Sequence, residues 1–310
     1  MQEYQQGELM NKIVYFGVNT TALNILKRIN LSKDLLVTIN ADKATNLKVT
    51  DYNIDLLNLD FSNIYHVEKY SLKSETDENF FKSYNGDIGI VIGWNRLIPL
   101  NIIKTFKYGI VGFHGTPYGL PKGRGRSPVI WSIVLGEKKY HFYLFQLTEG
   151  VDDGPIYSEK IIDINSFDTI VSFNEKIAIV AAEMLNEVVP KIFNGKVQPV
   201  HQEEGDTTYF PKRNFNDGKI FWDKTSEEIC NLIRAITEPY PCAHTHINDK
   251  VVKILDAQPF SSNLFLKKNP GEICTVFDNG HVIVRTGDGT LLIKKYEADC
   301  RLEGNQTLIF

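Results

Sequence analysis

The residues of this chain best placed to do chemistry lie in GFHGTPYGLPKGRGRSP at 112–128 and in EGVDDG at 149–154. The first stretch holds His114, the second Asp152, 38 residues later. A histidine oriented by a carboxylate accepts and returns a proton, which is general acid and base work. Gly109, Ile110 and Val111 read as the end of a buried parallel strand, so His114 falls at the carboxyl edge, where open α/β sheets keep their reacting groups. The loop beyond it, 115–126, forms an edge of the same site. Its glycines, Gly115 among them and followed by Thr116, let backbone approach a ligand closely. Lys122, Arg124 and Arg126 add positive charge, which suits an anionic substrate. The plainer alternatives are a core histidine, a solvated basic loop and an ordinary turn in which Asp153 stands beside Asp152.

Positioning these residues takes an alternation of strands and helices. Apolar strands at 12–17 and 35–39 flank a helix from about Thr20 to Ile29, a βαβ opening. The polar stretch 42–74 is less regular, with a short strand near Ile64, Tyr65 and His66. A helix near 76–84 leads to the strand DIGIVIGW. There follow a helix from Leu100 to Phe106, the strand at 109–113, the motif loop, a helix begun by Pro128, and an alternating strand over 138–147. Apolar residues at 3.6 spacing predict a helix from about Asp168 to Phe193. Polar residues with Gly, Pro and Asp mark a linker around 195–220. Beyond a helix at 225–236 lie short strands separated by turns such as DNG and DGT, a small β-rich or barrel-like subdomain.

At 310 residues and 43% hydrophobic, the chain is long enough for a large domain, 11–205, and a smaller one, 206–310. The expected class is α/β: a Rossmann-like domain with a mostly parallel sheet, then an α+β subdomain. No apolar run reaches the roughly 18 to 20 residues of a membrane span. MQEYQQGELM is polar and acidic rather than a signal sequence, so a cytoplasmic protein is expected. Four cysteines without a C-x-x-C pair read as reduced thiols. His244 and His246 in CAHTHI share one face of a strand with no third ligand in view, so a half-exposed strand is expected rather than a metal site. The 35 aromatic residues are not interleaved with a basic run, which argues against a nucleic-acid stacking platform.

These motifs resemble the 10-formyltetrahydrofolate-dependent formyltransferases, whose mark is N-x-H, then L-P-x-x-R-G, then a D-x-G turn. The matching residues are Gly112, Phe113 and His114, then Leu120, Pro121, Arg124 and Gly125, then Asp152 and Gly154. FGVNTTALNIL at 16–26, GWNRLIP at 93–99, RNFNDGKIFW at 213–222 and IRAITEPYP at 233–241 extend the resemblance over about residues 12–256. It implies a catalytic His114, with Asp152 as its carboxylate, and no metal. It further implies a pterin contact through the backbone of Leu97, Ile98 and Pro99, with Asp152 beside it and Trp94 lining the substrate or pterin side.

One departure stands out: the family's asparagine, whose amide holds the formyl oxygen, is Gly112 here. Donors aimed at such an oxyanion are worth roughly 3 to 4 kcal/mol each, so Asn95 or an ordered water is expected to substitute. Within the family the sequence is most similar to the sugar N-formyltransferases, often dimers, which serve cell-surface polysaccharide assembly. The expected acceptor is therefore the amine of a UDP- or dTDP-linked aminodeoxy sugar, its diphosphate held by Arg213 beside Lys212. Residues 206–310 carry 13 Lys and Arg against 14 Asp and Glu, and VTINADKATNLKV has only Lys43 and Lys48. Both argue against a polyanionic partner such as tRNA. The alternatives are a methionyl-tRNA formyltransferase, a silent folate- or nucleotide-binding homologue, and, more distantly, a folate-dependent hydrolase.

Overall fold

A computed structural model describes residues 11–49 and 51–309. The opening segment MQEYQQGELM lies outside the described residues. Strands β1 (Ile13–Phe16), β2 (Leu35–Thr38), β3 (Asn63–His66), β4 (Ile88–Val91) and β5 (Ile110–Thr116) pair in parallel, in the order β3-β2-β1-β4-β5. After β6 (Arg124–Gly125), the strands β7 (Lys139–Gln146) and β8 (Ile156–Asp163) extend this sheet beyond β5. The helices over residues 20–193 are α1 (Thr20–Leu26), α2 (Ala41–Asn46), α3 (Glu75–Tyr84), α4 (Leu100–Ile103), α5 (Pro128–Val134) and α6 (Ile170–Phe193). Strands β1 and β2 are buried along their whole length, as the short apolar runs of a parallel sheet require. The α/β class and the mostly parallel sheet are as the sequence predicts.

Three local differences have clear causes. Helices α1 and α4 stop three residues short of expectation, because Arg28, Thr105 and Phe106 donate to carbonyls three residues back and tighten the chain into turns. The polar stretch after β2 contains α2, capped by the side chain of Asn40 on the amide of Lys43. Strand β8 is an edge strand with Glu159, Lys160 and Ile161 exposed, so it lacks the alternation that would have disclosed it.

Two compact units divide the described chain. The first takes residues up to His114 with Phe142–Lys160 and Glu175–Asp206; the second takes Gly115–His141, Ile161–Asn174 and the chain from Thr207. In the first unit Phe16, Val37, Phe81, Phe106 and Ile110 form the core against one face of the sheet, each worth about 2 kcal/mol of burial. Asp77, fully buried, closes this core at the start of α3. Burial alone raises its pKa, but hydrogen bonds from the Ser74 hydroxyl (2.6 Å), the amides of Lys69 (3.0 Å) and Glu68 (2.8 Å) and the Tyr65 hydroxyl (2.9 Å) outweigh that and lower it. A folded-state pKa below the unfolded one stabilises at pH above the ordinary carboxylate value, and that stability is lost as pH falls through the folded value. Asp77→Ala therefore costs about 3 kcal/mol in urea unfolding at pH 7, and below about pH 4 the gap to the wild type closes. A gap unchanged down to the acid limb would refute this.

The second unit holds β6 paired in parallel with β9 (Tyr209–Phe210), then α7 (Ser226–Ala235). Its main sheet is antiparallel: β10 (Ala243–Ile247), β11 (Lys250–Ser261), β14 (Thr290–Ala298), β13 (Val282–Arg285) and β12 (Ile273–Val276) in spatial order. Within the stretch expected to be a linker lie β9 and a 3-10 turn at Phe215–Gly218. That turn buries the CAHTHI strand, contrary to the half-exposed expectation: Phe215 stacks on His244 at 4.0 Å and His244 is fully buried. Among the described residues no group of three or more His, Cys, Asp or Glu can hold a metal ion. Nor is any described helix long and apolar enough to cross a membrane. Burial pushes the Cys230 thiol up to about 12, which makes it a poor nucleophile.

Candidate active site

The strand order reverses between β1 and β4, and ligands of open α/β sheets bind beyond the carboxyl ends at such a point. There the loops after these two strands close on each other. A Cβ on Gly93, whose φ is +67°, would lie 2.1 Å from Oδ1 of Asn19, so only glycine fits. Next along the sheet, β5 runs three residues further than its sequence suggests, through Thr116, and His114 sits inside its last turn of pleat rather than beyond it. Alternation puts Gly112, His114 and Thr116 on one face and Phe113 on the other, where its ring stacks on Phe142 at 5.1 Å.

Asp152 reaches His114 from the loop between β7 and β8. Its Oδ2 lies 3.4 Å from Nδ1 of the histidine, whose side chain is buried while that of Asp152 is one-fifth exposed. Asp152 has φ +53°, the left-handed conformation, which turns its carboxylate back toward the strand. Three contacts fix that turn. Thr148 donates from its hydroxyl to Asp153. Gln202 donates from its side-chain amide to the carbonyls of Asp152 (2.8 Å) and Gly154 (2.9 Å). Gly154 lies so close to β7 that a Cβ on it would be 1.7 Å from the Gln146 carbonyl oxygen. A histidine with a buried ring and a fixed carboxylate can take a proton from a nucleophile and return it to a leaving group.

At Gly112 a Cβ would stand 2.7 Å from Cδ1 of Leu147, a side-chain end that would have to shift to admit a longer residue. Asn95, expected to stand in, is exposed on the loop after β4; its backbone amide donates to the Tyr70 hydroxyl at 3.1 Å. Trp94 on the same loop is buried against Tyr70 (4.6 Å) and Phe16 (6.0 Å). Its indole Nε1 makes no hydrogen bond among the described residues. Leu97 is 62% exposed, Ile98 buried, and Pro99 caps α4. Beside this loop opens a cavity of about 590 Å3, with Lys43, Lys69, Tyr70 and Arg96 in its wall.

The other expected site residues belong to the second unit. Thr116 is fully buried and its hydroxyl accepts from the Tyr118 amide at 3.2 Å. A Cβ on Gly115 would lie 2.2 Å from the ring of Tyr140. Lys122 is exposed, and Arg124 is part-buried in β6, paired with Tyr209. Arg213 lies 4.5 Å above the Trp131 ring and donates to the Asp217 carbonyl. Burial lowers its pKa, although Asp217 opposes the shift, and it remains charged at neutral pH. The geometry thus joins His114 to Asp152, whereas Arg213 is described within its own unit by its contacts with Trp131 and Asp217. Leu147, Thr148 and Gln202 were not foreseen. Only their proximity to the EGVDDG turn, once folded, marks them.

Residues 13–189 match the family model described as formyl transferase, and 214–307 match the one for the formyl transferase C-terminal domain. The chain belongs to the formyl transferase family. It is an enzyme of that class. The methionyl-tRNA formyltransferase of Thermodesulfovibrio yellowstonii is 34% identical over 220 residues, 70% of this chain and 68% of that protein. Among solved structures, the sugar 3N-formyl transferase WlaRD, crystallised with dTDP and 5-N-formyl-THF, aligns with TM-score 0.61 at 21% identity, covering 94% of this chain and 99% of that one. HypX from Aquifex aeolicus with tetrahydrofolic acid aligns with TM-score 0.64 at 18% identity over 94% of this chain. The chain spans only 45% of HypX. Such structural likenesses show the fold. By sequence, the methionyl-tRNA formyltransferases are better supported as relatives than the sugar enzymes expected from the sequence.

Proposed function

We propose that the enzyme transfers a formyl group from 10-formyltetrahydrofolate to a primary amine, with His114 and Asp152 at the reacting centre. The observation that carries this is the 3.4 Å approach of Asp152 to Nδ1 of a buried His114 inside a formyl transferase. When bound, the folate supplies the formyl group. Its pterin edge offers amide-like donors and acceptors, and the residues here fit it. The buried Trp94 indole N–H has no hydrogen bond among the described residues, and the backbone of Leu97, Ile98 and Pro99 is at hand on the same loop. Asp152 holds Nδ1 and so assigns proton transfer to Nε2, which takes the proton of the attacking amine and returns it to the departing nitrogen. Protonated in passing, the imidazole faces the oxygen on which negative charge grows, a task the glycine at 112 leaves unshared by a side-chain amide. The catalytic domain in this reading is 11–205 and the C-terminal subdomain 206–310, which the extents of the two family matches support.

Two acceptors follow from different observations. The 34% identity to a methionyl-tRNA formyltransferase supports the amine of methionyl-tRNA. The near-neutral balance of residues 206–310 and the likeness to WlaRD, a sugar 3N-formyl transferase crystallised in the presence of dTDP, support a nucleotide-linked amino sugar, made in the cytoplasm for surface polysaccharide assembly. Tetrahydrofolate release is to be followed with 10-formyltetrahydrofolate and each acceptor at two salt concentrations. A tRNA substrate gives kcat/KM that falls at least about tenfold between 50 and 200 mM salt, because phosphate contacts release counterions. An amino sugar gives a change of about twofold or less. Folate binding without turnover on either acceptor would refute the proposal.

A further inference from the structure

The segment QPVHQEEGD at 198–206 reads as a linker, yet it supplies the side chain that grips the turn of Asp152. We propose that Gln202 is a positioning residue for that carboxylate, an inference that rests on the role given to Asp152 above. The primary amide of glutamine carries two N–H groups on one nitrogen, and Nε2 of Gln202 lies 2.8 Å from the Asp152 carbonyl and 2.9 Å from that of Gly154. The two carbonyls bracket Asp153, so a single side chain spans the turn. Asp152 has the left-handed backbone, a conformation aspartate adopts more readily than most residues and one that neighbouring contacts help to keep.

Gln202 is itself anchored. Two residues before it, Val200 bridges to Ile156 at the start of β8, with amide-to-carbonyl distances of 2.7 and 2.8 Å in the two directions. The clamp therefore ties the strand that leaves the turn to the turn itself, with no contact from Gln202 to the reacting atoms required. Glutamate has the same length but no donor, and methionine has the length with neither charge nor donor.

The test compares kcat and KM of the wild type, Gln202→Met, Asp152→Asn and the double variant of the full chain, with 10-formyltetrahydrofolate and the amine that turns over. Gln202→Met lowers kcat by about tenfold to a hundredfold, the cost of misplacing a catalytic group, while both KM values stay within about twofold. In the Asp152→Asn background the same change has no further effect on kcat, since a residue acting through Asp152 has nothing left to position. Gln202→Glu repeats the series should the methionine variant not fold. A Gln202 variant with wild-type kcat, or losses that multiply in the double variant, overturns the proposal. An Asp152→Asn variant as fast as the wild type removes the role of Asp152 and the proposal with it, and is recognised by that single variant alone.

Discussion

Replacing His114 by alanine lowers kcat for formyl transfer about a thousandfold, with KM for the folate within about threefold of the wild type. The size follows from the two tasks of one ring: handling the amine's proton and facing the growing charge. General acid and base catalysis accounts for about 10² to 10⁴ in rate, and a lost oxyanion partner adds about 10² or more. The expectation lies below the sum because groups acting as a unit do not lose their effects additively. KM is spared because the pterin contacts proposed for Leu97, Ile98 and Pro99 lie on another loop. A His114→Ala enzyme with more than about a tenth of the wild-type kcat would place the chemistry elsewhere.

The second large effect falls on a residue with no side chain. Gly154→Ala sets a methyl group 1.7 Å from the Gln146 carbonyl oxygen, which is backbone of β7 and inside a sheet. The strand cannot yield, so the turn must, and Asp152 moves with it. The expected result is a loss of about 2 to 3 kcal/mol in urea unfolding and a kcat reduced about a hundredfold. Gly205→Ala serves as the control, since a Cβ there meets nothing within 4 Å and should change neither quantity measurably. Gly154→Ala with the stability and kcat of the wild type would mean that the turn has another position open to it.

Much of this arrangement was legible before folding. The apolar runs of β1, β2 and β4 and the periodicity of α6 disclose the parallel sheet and its covering, because burial on both faces leaves little choice of residue. The approach of Asp152 to His114 was legible because both lie in motifs of residue types suited to acid and base work. What was hidden depends on neighbours distant in sequence. That Leu147 lies 2.7 Å from where a Cβ on Gly112 would be is not visible in the sequence. Gln202 sits in a polar run whose partners lie 50 and 48 residues earlier. Arg213, expected from its charge to hold a diphosphate, lies over the Trp131 face and donates to the Asp217 carbonyl, partners that its charge does not disclose. Charge and residue type are visible in a sequence, whereas the partner that consumes a donor is not.

The role proposed for His114 and Asp152 is to move a formyl group from folate to an amine. Its most direct test gives the wild type and His114→Ala 10-formyltetrahydrofolate carrying a 13C-labelled formyl carbon, together with methionyl-tRNA and a panel of UDP- and dTDP-linked amino sugars, and reads each acceptor by mass spectrometry. One labelled formyl group is expected on the amine of one acceptor with the wild type, and almost none with His114→Ala. Label found only as free formate, or transferred equally well by both proteins, would contradict it.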